Sequence, residues 1–303
     1  MSMIRVVFLG TSASLPTKEH LTSCFALKFE KTMLFDCCEG AQQQLMKYNI
    51  SFASVDAIFL SHLHADHFLG LFGLIQSMNF STRAAELVIF GPIGTKRLLE
   101  TIFSSRQLQP NFPVKITEIG EIGTATEKVI FEGELFTVSA FPVSHGTKAF
   151  GYVFLQKPKR RFDKEKCDKI GIKGRMFSDL ESGKTVEIGR KKVKYEDVTY
   201  VSTGRKIVYS GDTASCNSLS TACKDADIAV LDSTFKDEEK ELAKEKKHMT
   251  CVQAAKIAQK AKAEKLVLSH FSNRYADRSG ILEQARAVFE ETVLAQEGLE
   301  LQL

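Results

Sequence analysis

No apolar run reaches the roughly 18 residues that a membrane-crossing helix needs, although 44% of the chain is hydrophobic. The opening MSMIRVVFLG lacks the charged, apolar and cleavage regions of a signal peptide. The chain is therefore expected to be cytoplasmic. Cysteine offers no framework either: the seven, Cys24, Cys37, Cys38, Cys167, Cys216, Cys223 and Cys251, are odd in number and show no CxxC spacing. They exclude a disulfide scaffold and a thiolate zinc site, and read as buried or incidental thiols. No internal repeat is visible, and no Pro/Gly/Ser linker divides the 303 residues. One large α/β unit over 1–303 is the expectation.

Charge is scarce in sum but concentrated in place. The formal net charge is only +4, yet residues 157–194 hold 14 Lys or Arg against 6 Asp or Glu, leaving the remainder at −4. This segment reads as a basic insertion. Elsewhere, apolar β-rich runs at Ile4 to Leu9, Phe25 to Phe29, Thr32 to Phe35, Val55 to Leu60, Leu87 to Phe90, Phe136 to Ala140, Phe150 to Leu155, Ile207 to Tyr209, Ile228 to Leu231 and Leu266 to Leu268 predict strands. Three-and-four apolar spacing predicts helices near 40–48, 67–79, 94–104, 249–262 and 280–291. Sheets covered by helices follow from this mixture.

Histidine is present seven times, and three of the seven fall within LSHLHADHFLG, Leu60 to Gly70. The cluster begins at the carboxyl end of a predicted strand, where α/β sheets display functional side chains. His62, His64, Asp66 and His67 offer imidazole nitrogen and carboxylate oxygen, the donors suited to zinc and related metals. Period-two spacing aims His62 and His64 one way, and the turn into a helix lets Asp66 and His67 point to a second position. One run can thus serve two metals. Further strand-like runs end at His145 in FPVSHG, Asp212 in YSGDT and His270 in VLSHF, and Asp212 is a candidate bridge. His248 heads a predicted helix, and His20 lies in the loop LPTKEHLTS.

HLHADH, His145, SGDT, LSHFSNRY, the start FLGTSASLPTKEHLTS, FDCCEGAQQQL, the FGP at Phe90 to Pro92, the basic insertion and HMT at His248 occur in an order that resembles the metallo-β-lactamase superfamily. Within it the chain is similar to the short form of ribonuclease Z, the tRNA 3′-processing endoribonuclease, over nearly its whole length. The resemblance implies a four-layer αββα sandwich with a protruding basic arm at 157–194. It implies two zinc ions per subunit, with manganese able to use the same donors: His62, His64 and His145 on one, Asp66, His67 and His270 on the other, and Asp212 between them. It further implies cleavage of the 3′ trailer of precursor tRNA by metal-held hydroxide, which Asp66 orients, leaving a tRNA 3′-hydroxyl.

Departure of an alkoxide needs a proton. By the same resemblance His248 supplies it, oriented by Asp232 of VLDSTF, where the family has glutamate in a HEATF-like stretch. The arm would clamp the tRNA body through Lys159, Arg160, Arg161 and Arg175, reading shape rather than sequence. Lys18 and His20, in a loop where the family often has Pro-x-Lys-x-Arg-Asn, and Arg274 and Tyr275, beyond His270, are candidate contacts to the RNA 3′ region. A homodimer is implied as well. The competing readings are a phosphodiesterase of the same fold acting on small cyclic or aryl phosphodiesters, and a dual endo- and 3′-exoribonuclease.

Overall fold

Neighbouring residues of one strand belong to different cores. In the computed structural model, which describes residues 3–81, 83–123 and 126–303, Val6 and Phe8 of the strand Arg5–Gly10 join one apolar cluster while Val7 and Leu9 join another. The same parity separates Phe25 and Leu27 from Cys24 and Ala26, Met33 and Phe35 from Leu34, and Ala57 and Phe59 from Ile58. Side chains alternate across a strand, so each sheet must bury both faces. One face of this sheet meets a second sheet through Phe136, Val138, Tyr152 and Phe154. The other meets the helices Ala41–Lys47 and Gly70–Asn79 through Ala41, Leu45, Leu71, Leu74, Ile75 and Met78. On the far side of the second sheet pack Ala254, Ala255 and Ala258 of the helix Cys251–Ala261. The layers run helix, sheet, sheet, helix.

Among the described residues each large sheet has seven strands. The first runs, in spatial order, Glu300–Gln302, Arg5–Gly10, Cys24–Lys28, Thr32–Phe35, Val55–Phe59, Leu87–Pro92 and Val114–Ile119. The second runs Thr292–Leu294, Lys265–Ser269, Ile228–Asp232, Lys206–Tyr209, Phe150–Gln156, Phe136–Pro142 and Lys128–Glu132. Both are mixed: Thr32–Phe35 through Val114–Ile119 pair in parallel, as do Lys206–Tyr209 through Thr292–Leu294. Phe25, Phe35, Phe59 and Phe90 are register partners across four adjacent strands, with successive rings stacked 4.8, 5.1 and 5.0 Å apart. Tyr209, from the opposite sheet, meets Phe25 edge-on at 5.2 Å. Such pairs add about 0.5–1.5 kcal/mol each beyond burial.

The predicted strands are present, and several elements differ from expectation. Val114–Ile119 and Lys128–Glu132 are outermost strands absent from the prediction, the first interrupted by Lys115, Thr117 and Glu118 and the second with only Val129 to Phe131 apolar between two charges. The helix expected at 67–79 is two, Ala65–Phe68 and Gly70–Asn79. His248 does not head a helix. Thr250 and Gln253 form a capping box that starts the next helix at Cys251, so His248 lies in the link after Lys240–Lys246. Among the described residues no helix is long and apolar enough to cross a membrane.

The chain divides into two compact units, one of Met1–Leu155 with Lys206–Leu303 and one of Gln156–Arg205. In the first, Leu155 and Lys206 are direct antiparallel partners. The second closes its ends by pairing Lys159–Phe162 with Thr199–Ser202, which carries it past Lys194. It has its own core of Cys167, Ile172, Leu180, Val186, Val193 and Val198. Its first helix, Lys164–Ile170, is capped by Asp163 and ended by Gly171 at φ 90°.

Candidate metal centre

Strand ends from both sheets place the polar cluster. His62 and His64 follow Val55–Phe59, His145 follows Phe136–Pro142, Asp212 follows Lys206–Tyr209, and His270 follows Lys265–Ser269. Asp232 is the last residue of Ile228–Asp232. The HLHADH segment turns into its short helix against the Asp36 to Cys38 loop: the Cys37 N–H donates to His67 O at 2.8 Å and the Gly70 N–H to Cys37 O at 3.1 Å. A Cβ at Gly70 would lie 1.8 Å from Cys38 O. Glycine is required at that contact, and the helix breaks there.

The seven donor residues named from the sequence come together. His62, His64 and His145 form one group, Asp66, His67 and His270 a second, and His62, His67 and Asp212 a third, with donor atoms in each group within 4.8 Å of one another. Asp212 Oδ2 lies 3.1 Å from His270 Nε2 and 3.3 Å from His67 Nε2. His145 Nε2 is 3.3 Å from His64 Nδ1. His62 Nε2, His67 Nε2, His270 Nε2 and Asp212 Oδ1 are buried and have no hydrogen-bond partner among the described residues. Four such atoms converging on one place would be costly unless a cation satisfied them. The donor set fits zinc.

Behind the donors stands a carboxylate that sequence reasoning left without a role. Asp36 is fully buried, with φ 57°. Its Oδ2 lies 2.7 Å from His67 Nδ1 and accepts from the Ser61 hydroxyl at 2.8 Å and the Tyr209 hydroxyl at 2.6 Å, while Oδ1 accepts the Ser61 N–H at 2.7 Å. Such a partner fixes which ring nitrogen faces the cation. Thr234 does the same for His270, 2.9 Å from its Nδ1, and the Lys247 carbonyl for His145 at 3.2 Å. The only signal for Asp36 is its position at a strand end in FDCCEG.

Burial drives the His62 imidazole down to about 2 and also lowers His145. Burial opposes charge on His270 as well, but Asp212 beside it pushes it up to about 10, and His67 is raised likewise by Asp212 and Asp36. Burial would raise the Asp66 carboxyl, yet His270 and His67 hold it far below the usual carboxylate range. Without a cation, two imidazoles thus keep protons that binding must release.

His248 Nδ1 lies 2.7 Å from Asp232 Oδ2. Burial alone would lower this imidazole, but the Asp232 carboxylate raises it above the ordinary value. Asp232 also accepts from Thr213 N–H on Oδ2 and from the Thr234 N–H and hydroxyl on Oδ1. His248, with Asp232 buried behind it, borders a cavity of about 600 Å³, open to solvent, whose lining includes His64, Asp66, His145, Phe235 and Arg274.

The remaining candidates are dispersed. Arg274 reaches the cavity while ion-paired to Glu239, with its guanidinium 5.2 Å from the Phe235 ring centre. The Tyr275 hydroxyl accepts the Lys236 N–H at 3.1 Å, tying its loop to the one that follows the strand Ile228–Asp232. His20 Nδ1 lies 2.9 Å from Glu297 Oε2, and Lys18 is exposed nearby. Lys159, Arg160 and Arg175 are exposed in the second unit, with Arg160 donating to Thr199 Oγ1 at 2.9 Å, and Arg161 is half-buried.

Residues 4–162 match the family model described as anti-Pycsar protein Apyc1, and residues 183–271 match that of the beta-lactamase superfamily domain. The ribonuclease Z of Methanosarcina acetivorans is 39% identical over 308 aligned residues, covering 99% of this chain and 98% of the relative. That of Myxococcus xanthus is 38% identical over 311, covering 100% and 99%. The crystal structure of the short form of human tRNase Z superposes with a TM-score of 0.72 at 26% identity, over 98% of both chains.

Proposed function

The chain belongs to the ribonuclease Z family, and from that premise we propose that it is a zinc-dependent endoribonuclease that removes the 3′ trailer of precursor tRNA in the cytoplasm. The observation that carries the reading is the convergence of four buried, unpartnered donor atoms beside a hydrogen-bonded His–Asp pair. His62, His64 and His145 would hold one zinc ion and Asp66, His67 and His270 the other, with Asp212 between. When bound, the ions supply Lewis acidity at the phosphate and a water of lowered pKa.

The residues themselves do the rest. Asp66, ionised and held by the Ser14 N–H at 2.9 Å, accepts a hydrogen bond from the attacking water and fixes its direction. His248, whose protonated form Asp232 favours, donates to the departing O3′ of the last tRNA nucleotide as the P–O3′ bond breaks. The tRNA leaves with a 3′ hydroxyl, and the trailer carries the phosphate. Lys159, Arg160, Arg161 and Arg175 bind tRNA phosphates, and Lys18, His20, Arg274 and Tyr275 contact or shape the path of the RNA 3′ end. The working form is a homodimer; a monomer-only sedimentation profile at assay concentration would refute that part.

The test compares the wild type with Asp66→Ala on a 3′-extended precursor tRNA, with zinc or manganese supplied and product ends mapped on a sequencing gel. One cut near the discriminator base, absent in the variant, is the expected result. Intact tRNA alongside cleavage of a small aryl phosphodiester overturns the substrate assignment and favours the small-phosphodiester reading.

A further inference from the structure

The loop that reaches Asp66 is itself held from behind. The Thr11 and Ser12 N–H groups donate to Leu21 O at 2.8 and 2.9 Å, closing residues 11–22 into a narrow-necked loop. It touches Asp66 twice: the Ser14 N–H on Oδ2 at 2.9 Å and the Thr22 hydroxyl on the backbone carbonyl at 2.7 Å. Ser14 has φ 59°. That backbone is unfavourable for a residue with a Cβ, so it persists only where the surroundings fix it.

Next to Ser14 the loop is held by the Ala13 N–H on Phe271 O at 2.9 Å and by Asn273 Nδ2 on Leu15 O at 2.6 Å, and at its neck by Glu297. One oxygen accepts the Thr11 hydroxyl at 3.1 Å and the Leu21 N–H at 3.2 Å, and the other meets His20 Nδ1 at 2.9 Å. These bonds grip both sides of the neck. The side chain is only 10% exposed, and its own loop is rigidly seated: the Gly298 N–H donates to Phe8 O at 2.8 Å, at φ 88° and packed against the Tyr48 ring. Arg278 holds the same neck through Thr11 Oγ1 and Ser12 Oγ at 3.0 and 3.1 Å.

From this chain of contacts we infer that Glu297 is a positioning residue for Asp66, acting through the 11–22 loop without touching substrate. The inference rests on the reading of Asp66 as the group that orients the attacking water. Loss of the carboxylate charge weakens the neck's ties to Thr11, His20 and Leu21 while its backbone closure and Arg278 remain, so the Ser14 N–H arrives less sharply and Asp66 Oδ2 is set less firmly.

Glu297→Gln keeps the shape and an acceptor oxygen but removes the charge. Its kcat should fall about tenfold on both precursor tRNA and bis(p-nitrophenyl) phosphate, the scale of an outer partner's loss, with KM changed by less than about twofold. Metal content by mass spectrometry should be unchanged. In Asp66→Asn protein the same change should add less than about twofold, since residues acting through one group are not additive. His20→Ala, read on bis(p-nitrophenyl) phosphate alone so that no RNA contact of His20 enters, removes one Glu297 contact at a partly exposed edge, gives a smaller kcat loss there, and decides the matter should Glu297→Gln not fold. A kcat within about twofold of wild type on both substrates, a loss confined to KM for tRNA, or a fall in metal content overturns the inference. If wild type cleaves only the small diester, the tRNA reading fails while the role of Glu297 is still decided on that substrate.

Discussion

Asp232 spends four accepted hydrogen bonds on two oxygens, and one of them governs a proton. A carboxylate 2.7 Å from His248 favours the imidazolium against the burial that opposes it. The charged acid therefore persists to higher pH than on a free imidazole and is lost as pH rises through the raised value. Asp232→Asn removes the favourable charge and leaves the burial, so the imidazolium is lost at lower pH. The alkaline limb of the kcat profile should move down by about one pH unit or more, measured on precursor tRNA with metal held constant. An unmoved limb would sink the assignment of His248 as the acid. Aspartate at this position still reaches the ring, because the link before the Thr250 cap carries His248 to it.

At the scale of elements, the junction at Gly70 is the tightest point of the centre. The short helix bearing Asp66 and His67 ends against the Cys37–Cys38 backbone, where a Cβ would fall 1.8 Å from a carbonyl oxygen. Gly70→Ala should therefore separate the two segments and lower bound zinc per subunit, with unfolding brought on by overpacking of about 1–3 kcal/mol. Zinc content and a urea titration test it; full zinc at wild-type stability would contradict it. The sequence hid this break because the apolar spacing of FLGLFGLIQSM continues through it. The candidate donors His62, His64, His145, Asp212 and His270 were legible because each follows a strand with its own apolar run, and Asp66 and His67 because they adjoin His64. Asp36 was not: its partners Ser61 and His67 come from one other segment and Tyr209 from another, 173 positions away. Glu297 was illegible for the same reason, being 277 positions from His20. Local pattern finds the tips of strands, and only folding finds what stands behind them.

For the whole molecule, the basic unit enters and leaves at Leu155 and Lys206, which already face each other in the sheet. Replacing Gln156–Arg205 by a short turn should leave the remaining unit folded and able to cleave a small phosphodiester, since apart from the strand-end residue Gln156 both large sheets, and all seven donor residues, lie outside it. Cleavage of precursor tRNA should fall by orders of magnitude through KM, as lost phosphate contacts dictate, with a shallower salt dependence. Undiminished tRNA cleavage by the shortened protein would falsify the clamp. That doorway has a hereditary consequence. A segment hung on two adjoining residues and closed around its own small core can be lengthened, recharged or exchanged by a lineage while the catalytic scaffold is passed on unchanged. Preference among RNA bodies and competence for bond cleavage are then free to evolve at different speeds.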